Sequence, residues 1–228
     1  IRFCDWSSDV CSSDLGAPGD EATEWAGVHL GRLYEMTGDL KSAEMHYMIT
    51  LERRPGYAYA IAGQAHIAIA THQYDKAIDY YLQADSLIND YSFKEEMAEA
   101  YKLSGQKNKA DSIVKWVVNA MSKDSEKGKA DESIGHYADR ELAYAYLKAG
   151  NYDKALERAL AEYNRRPANI DVNETVAWAY YMKGDYNKAL PYMETALKTN
   201  SKNPTLLCRA GLVYAKTNNK AKAKSLRF

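Results

Sequence analysis

The heptapeptide GNYDKAL at residues 150–156 recurs as GDYNKAL at residues 184–190, which is 34 residues further along the chain. In each copy, glycine provides the unrestricted backbone that ends one helix, and the Asn or Asp that follows favours a turn and offers a side-chain cap to the next helix. Apolar patterns precede and follow both copies. Since a helix-turn-helix of this length cannot bury its apolar face alone, neighbouring copies must stack, and the stretch predicts a repeat protein.

Aligned on the turn glycine, the chain divides into six repeats: residues 24–57, 58–90, 91–124, 136–169, 170–203 and 204–228. Within each repeat, positions are numbered from 1. Position 8 is always Gly or Ala, and position 20 is always Ala, as closely crossing helices require. The period is interrupted by residues 125–135 (SEKGKADESIG), which either a loop or lengthened helices absorb; we favour one longer connection over a flexible hinge. The last repeat stops early in its second helix, so we expect a truncated C-terminus.

Several motifs carry a family resemblance. Repeat 1 has Leu30-Gly31 followed by Tyr34, then Ala43 with Tyr47, then Pro55, and repeat 4 closes with Pro167. In this order and phase, the chain resembles the tetratricopeptide repeat family. Two departures stand out: His72 replaces a turn glycine, and no repeat has the family's tryptophan at position 4, where the residues are Gly27, Ile61, Lys94, Asp139, Asn173 and Leu207. The resemblance implies an all-α fold, an α-solenoid of stacked antiparallel helix hairpins in a right-handed superhelix over residues 16–228.

Helical spacing divides each first helix into two faces. Positions 4, 7, 8 and 11 share one face, which predicts a core containing Leu30, Gly31, Tyr34, Val176 and Ala177. Positions 2, 5, 9, 12 and 13, including Val28 at position 5, point away from it. The second helices, which pack between successive first helices, are predicted at Lys41–Arg53, Tyr74–Ile88, Lys107–Met121, Tyr152–Arg165 and Tyr186–Thr199.

The outward positions of the first helices are expected to line a concave groove. A solvated helix face would be mostly charged, whereas this one is aromatic with isolated charges. Exposed rings beside cations are typical anchors for peptides, although rings can instead fill contacts between neighbouring first helices. We favour the groove, with Trp25, Tyr59, Tyr137, Tyr144, Trp178 and Tyr181 as anchors and Arg32, His66 and Arg140 as polar selectors.

Composition narrows the classes of function. The 30 Lys and Arg residues nearly cancel the 31 Asp and Glu residues, which argues against nucleic acid as the main ligand. No run of 18 apolar residues is present to span a membrane. The five histidines lack metal-ligand spacing, and there is no phosphate-binding loop or nucleophile elbow. We therefore expect no catalytic residue, metal or cofactor.

The first fifteen residues differ from the rest. Residues 5–15 (DWSSDVCSSDL) resemble a translated sequencing-adapter read, and we expect residues 1–15 to be a non-native, disordered leader. If so, the native N-terminus is missing, and the sequence indicates no compartment.

Three hypotheses about function follow. The first is a non-catalytic scaffold or adaptor that binds a protein or peptide in the groove. In the second, the chain is the regulatory or substrate-recruiting repeat portion of a larger enzyme, sensor or envelope protein. In the third, copies of the chain stack end to end through unsealed terminal repeats.

Overall fold

The computed structural model of the chain describes residues 17–130 and 138–226, with the side chains of residues 127–130 left undescribed. Helices are the only regular elements in these ranges, which confirms the all-α prediction. They are α1 (Glu21–Thr37), α2 (Leu40–Arg53), α3 (Ala58–Ala70), α4 (Tyr74–Leu87), α5 (Tyr91–Leu103), α6 (Lys107–Ala130), α7 (Asp139–Lys148), α8 (Tyr152–Arg165), α9 (Ile170–Lys183), α10 (Tyr186–Ala196), a 3₁₀ turn (Leu197–Thr199), α11 (Pro204–Lys216) and α12 (Lys220–Ser225). None of these helices is long and apolar enough to cross a membrane.

Left-handed residues join the two helices of each hairpin. Glycine takes this conformation in four turns, for example Gly150 with φ 71° and Gly184 with φ 86°. In the other two turns a residue with a side chain adopts it, namely His72 with φ 61° and Asn218 with φ 59°. The turn geometry therefore persists where the sequence departs from glycine.

Of the two turns at Gly150 and Gly184, only the first is followed by a helix whose N-terminus has a side-chain cap. Asn151 accepts a hydrogen bond from the backbone N–H of Lys154 and caps α8. The cap expected from Asp185 is not formed, because its carboxylate instead faces the ammonium group of Lys188 at 3.4 Å. The two equivalent cap positions, Asn151 and Asp185, therefore differ in their hydrogen-bonding partners.

The insertion in the repeat is partly helical. Helix α6 was expected to end at Met121, but it continues to Ala130 and so takes up residues 125–130 of the insertion. Residues 131–135 and the leader, residues 1–15, lie outside the described residues.

The chain forms two compact halves, Ile1–Ile113 and Val114–Phe228. In the N-terminal half, α1–α4 stack as two hairpins, and Ala43, Ala65 and Ala77 are completely buried where the helices cross. In the C-terminal half, Ala143, Ala155, Ala177 and Ala189 are completely buried at the same repeat positions. Small residues at positions 8 and 20 thus set the helix spacing in both halves.

Helix α1 departs from the predicted faces at two residues. Val28 was assigned to the groove but is buried in a cluster with Tyr47 and Tyr57. Leu30 was assigned to the core but is 40% exposed. In repeat 3 the same position, Met97, shares a core cluster with residues of the preceding second helix, and among the described residues no helix precedes α1.

Candidate functional site

A chain of polar contacts crosses the first helices of the N-terminal half. The hydroxyl group of Tyr47 donates to Oε1 of Glu35 at 2.6 Å. Nδ1 of His66 lies 3.2 Å from the Glu35 carboxylate, and Nε2 of His66 lies 3.1 Å from Oε2 of Glu96. One imidazole therefore joins carboxylates from α1 and α5 while sitting on α3. We refer to Glu35, Tyr47, His66 and Glu96 as the His66 cluster.

Two opposing effects act on the imidazole of this cluster. Burial lowers the pKa of His66, but its hydrogen bonds to Glu35 and Glu96 and their negative charges outweigh burial and raise the pKa to about 9. Burial, together with the bond to Glu35, raises the pKa of Tyr47 far above its ordinary value. At neutral pH the cluster thus consists of an imidazolium held between two carboxylates, with a neutral phenol.

The His66 cluster predicts a pH-dependent stability. The folded-state pKa of His66 lies above the unfolded value of about 6.5, so its stabilisation is complete below pH 6.5 and disappears as the pH rises through about 9. We expect urea unfolding of the N-terminal half to lose on the order of 2 kcal/mol over this interval. The charged groups around the imidazole are Glu35, Glu96 and Arg32, with the phenols of Tyr47 and Tyr81.

The His66→Gln variant is the control for this titration. It keeps a hydrogen-bonding side chain but removes the titrating group, so its stability should change much less between pH 6.5 and 9. An equal loss in both proteins would assign the pH dependence to other groups.

The other predicted residues of the N-terminal half occupy different surroundings. Trp25 is 53% exposed and lies against His29 of the same helix, with ring centroids 3.7 Å apart and planes tilted by 30°. Tyr59 packs its ring on Phe93 and donates to Asp90 at 3.3 Å, so it joins neighbouring first helices. Burial raises the pKa of Tyr59, the charge of Asp90 adds to the shift, and the nearby Arg32 opposes it. Arg32 and Tyr59, both predicted residues, therefore act on each other electrostatically.

The C-terminal half gathers three predicted residues, Tyr144, Trp178 and Tyr181, around Arg209 and Glu174, which were not predicted. The guanidinium group of Arg209 lies over the rings of Tyr144 and Trp178, at 5.3 and 4.9 Å from their centroids. Its Nη1 donates to Oε1 of Glu174 and, at 3.1 Å, to the hydroxyl oxygen of Tyr144. Tyr181 stacks on Trp178 with centroids 4.9 Å apart and planes 7° from parallel. We call Tyr144, Glu174, Trp178, Tyr181 and Arg209 the Arg209 cluster.

Arg140 stands beside this cluster. Its Nε donates to Oγ1 of Thr175 at 3.3 Å, and its guanidinium group lies 5.6 Å from the ring centroid of Tyr144. A pocket of about 350 Å³ opens here. It is lined by Arg140, Tyr144, Ile170, Asp171, Glu174, Ala196, Ser201, Asn203, Thr205, Leu206 and Arg209. The lining combines two guanidinium groups with two carboxylates, so it offers partners for charges of both signs.

The ionisation of the Arg209 cluster follows from its burial and contacts. Burial lowers the pKa of Arg209, but Glu174 and Tyr144 outweigh burial and raise it. Burial, and then the charge of Glu174, raises the pKa of Tyr144. The cluster therefore holds a fixed cation, a carboxylate and a neutral phenol over the whole physiological pH range.

Sequence reasoning missed the residues that bind the predicted ones together. Glu35 and Glu174 stand at positions 12 and 5 of the outward face. They were not chosen as groove residues because the choice favoured aromatic rings and cationic side chains. Glu96 and Arg209 stand at position 6, which was not assigned to that face. At about 100° per residue, position 6 lies only about 20° beyond position 13, so a slightly wider sector would have included both. Tyr137 lies outside the described residues.

Within the described ranges, no group of three or more His, Cys, Asp and Glu residues is placed to hold a metal ion.

Comparison with known protein families bears on the predicted resemblance to tetratricopeptide repeats. Residues 176–224, which include Trp178, Tyr181 and Arg209, match the family model described as Tetratricopeptide repeat. Residues 176–224 therefore carry the tetratricopeptide repeat. No curated protein sequence matches it.

Solved structures share the fold at low identity. A human IFIT1 dimer with m7Gppp-AAAA aligns over 90% of this chain and 48% of its own, with 17% identity and a TM-score of 0.58. The type IV pilus biogenesis factor PilW aligns over 91% of both chains, with 15% identity and a TM-score of 0.50. Pseudomonas aeruginosa pilF aligns over 89% of this chain and 88% of its own, with 16% identity and a TM-score of 0.47. For the first two structures, whose TM-scores are 0.58 and 0.50, the likeness at these identities establishes the fold alone.

Tetratricopeptide repeats, like other stacked helix hairpins, present extended surfaces on which other proteins bind. The repeats of this chain therefore support a role in protein–protein interaction.

Proposed function

We propose that the chain is a non-catalytic adaptor that binds an extended segment of a partner protein on the first helices of its C-terminal half. The Arg209 cluster and the adjoining pocket form the contact surface. The observation that carries the proposal is the parallel pair of partly exposed rings, Trp178 and Tyr181, held beside a fixed guanidinium group.

Rigid aromatic surface is well suited to binding a flexible segment. Trp178 and Tyr181 offer a large apolar area whose orientation is set before binding, because Arg209 and the ring stack restrain Trp178. A partner side chain can cover the rings at low entropic cost. The neighbouring guanidinium groups and carboxylates then fix register through charge.

The contacts of Glu174 favour binding over catalysis. A general base requires a carboxylate aimed at a proton to be abstracted, whereas both oxygens of Glu174 already accept hydrogen bonds, one from Arg209 and the other from Tyr144. Glu174 therefore positions the cation and the phenol.

Binding to a captured partner tests the proposal. A partner isolated with the wild-type chain would be divided into overlapping peptides, and each peptide titrated by calorimetry. For the peptide that binds, Trp178→Ala is expected to raise the dissociation constant about 10- to 100-fold, because the substitution removes a central anchor.

Trp116→Ala is the matched control, since Trp116 is a comparably large ring, 47% exposed, on α6. It should leave the dissociation constant within about twofold. Circular dichroism must show unchanged helix content in both variants. Equal affinities for wild type and Trp178→Ala, with the fold intact, would refute binding at the Arg209 cluster.

A further inference from the structure

The two guanidinium groups of the pocket beside the Arg209 cluster differ in how their charges are balanced. Arg209 is neutralised by Glu174, whose Oε1 accepts a hydrogen bond from Nη1. Arg140 is half-buried, and its hydrogen bond runs from Nε to the neutral hydroxyl group of Thr175. Among the described residues, no carboxylate pairs with Arg140. The pocket therefore contains a cation whose charge the described part of the chain does not compensate.

Two contacts restrain this cation in the absence of a ligand. Nε of Arg140 donates to Oγ1 of Thr175, which is completely buried, and the guanidinium group lies 5.6 Å from the centroid of the Tyr144 ring. The N–H groups of both Nη atoms are left for an acceptor outside the chain. Such a fork matches the two oxygens of a carboxylate, and because the side chain is already restrained, pairing costs little additional entropy.

The surrounding wall of the pocket also favours negative charge. Ile170 and Asp171 belong to the first turn of α9, and Thr205 and Leu206 belong to the first turn of α11. The N-terminus of a helix carries a partial positive charge. These two helix ends therefore support an anion that is bound by Arg140.

A cationic ligand would have to pair with Asp171. No cation among the described residues pairs with this carboxylate, but Asp171 is exposed, so its charge is well hydrated and gains little from pairing. The other carboxylate, Glu174, already accepts hydrogen bonds from Arg209 and Tyr144. Arg140 is less exposed than Asp171, and charges interact more strongly where water is partly excluded. An anion is therefore the favoured ligand.

We propose that this pocket receives an aspartate or glutamate side chain of the partner segment, whose carboxylate binds the Nη atoms of Arg140. This rests on the proposed function, since it names the partner residue that fixes the register of the segment. A carboxylate brings one negative charge to one uncompensated cation. A phosphate group brings about two, and Asp171 and Glu174 on the pocket wall would repel the excess.

A selected peptide supplies the probe for this contact. A displayed library of random peptides would be enriched on the full wild-type chain, and the strongest binder synthesised. Replacing its acidic residues one at a time by the matching amide should identify one position at which the dissociation constant, measured by calorimetry, rises about tenfold. Amidation of the C-terminus should leave the constant unchanged. A loss on amidation alone would overturn the assignment to a side chain.

Variants of the chain locate the carboxylate. Arg140→Gln should raise the dissociation constant of the acidic peptide about tenfold but leave that of the amide-substituted peptide unchanged, because both substitutions remove the same contact. Asp171→Asn removes a repulsive charge and should lower the constant of the acidic peptide about two- to threefold. Arg53→Gln is the matched control, since Arg53 is an exposed arginine of α2; it should change neither constant.

The outcomes separate carboxylate binding from the proposed function. If wild type and Trp178→Ala bind the selected peptide equally, both are refuted. If Trp178→Ala weakens binding but Arg140→Gln affects the acidic and amide-substituted peptides alike, the function stands and the carboxylate contact is refuted. Enrichment of lysine-containing peptides whose binding is lost in Asp171→Asn would assign the pocket to a cation and overturn the proposal as well.

Discussion

Replacing Gly63 with alanine is expected to destabilise the N-terminal half by about 1–3 kcal/mol, the range found for overpacking a buried site. A methyl group at Gly63 would lie 2.6 Å from Cδ1 and Cε1 of the Tyr47 ring. A methyl group at Gly31 would lie 2.6 Å from Cε1 of the same ring. Tyr47 is completely buried between these two glycines, so its ring cannot move aside without disturbing α1 or α3.

The same packing aims Tyr47 at the His66 cluster. The ring passes between α1 and α3, each of which has a glycine without a Cβ atom at the contact. The hydroxyl group of Tyr47 thereby reaches Glu35. Gly31→Ala should therefore resemble Gly63→Ala in its cost. Urea unfolding, followed by hydrogen exchange of α1 and α3 peptides, would measure the loss and locate it.

Gly211→Ala is the matched control, since Gly211 occupies position 8 of repeat 6 as Gly31 does in repeat 1. Nothing lies within 4 Å of a methyl group at Gly211. Its replacement should be neutral or stabilising by up to about 1 kcal/mol, because alanine favours a helix more than glycine does. Gly63→Ala should also cost much less in a Tyr47→Ala background. Similar costs for Gly31→Ala and Gly211→Ala would contradict the steric argument.

Much of the fold could be predicted from the repeat because its signals are local. Helix α8 begins and ends at the predicted residues, Tyr152 and Arg165, since turn chemistry and apolar spacing specify both ends. The end of α6 was wrong because the period, which had set the boundary, breaks in the insertion. Leu30 was misassigned for a different reason: periodicity identifies an apolar face but not whether a neighbour covers it.

The candidate site was less predictable because it depends on contacts between repeats. Arg140, Tyr144, Trp178 and Tyr181 are gathered in one place, but Arg209, which joins them, is 31 residues from Trp178 in the sequence. Its pairing with Glu174 depends on which side chains of adjacent first helices meet. A pattern within one repeat carries no such information, so groove binding by these residues stays a prediction.

Asp139 stands at position 4 of repeat 4, where the resemblance to tetratricopeptide repeats implies a tryptophan. Its side chain is fully buried, and it accepts hydrogen bonds from Arg158 at 3.2 Å and from Arg165 at 2.6 Å. Both arginines come from α8, so a buried carboxylate holds the hairpin α7–α8 together. Arg165 also pairs with the buried Glu162, which extends the network.

The Asp139→Ala variant is expected to lose about 2–3 kcal/mol of unfolding free energy. Breaking a fully buried ion pair costs about 3–5 kcal/mol, and the arginines, which are 22% and 33% exposed, recover part of this through water. Asp139→Asn, which keeps the shape and one acceptor oxygen, should lose less. Asp153→Ala removes the exposed partner of Lys183 in the same half and should cost much less than Asp139→Ala, because exposed ion pairs contribute little to stability.

Hydrogen exchange separates this network from general destabilisation. In Asp139→Ala, protection should fall first in α7 and α8, because the hairpin loses the carboxylate that joins its helices, while α9 and α10 keep their own core. Equal losses of unfolding free energy in Asp139→Ala and Asp153→Ala would show that burial does not strengthen the ion pairs of Asp139. In that case the missing tryptophan at position 4 would have to be compensated by apolar contacts of Leu142 and Tyr146, which are buried in the same helix.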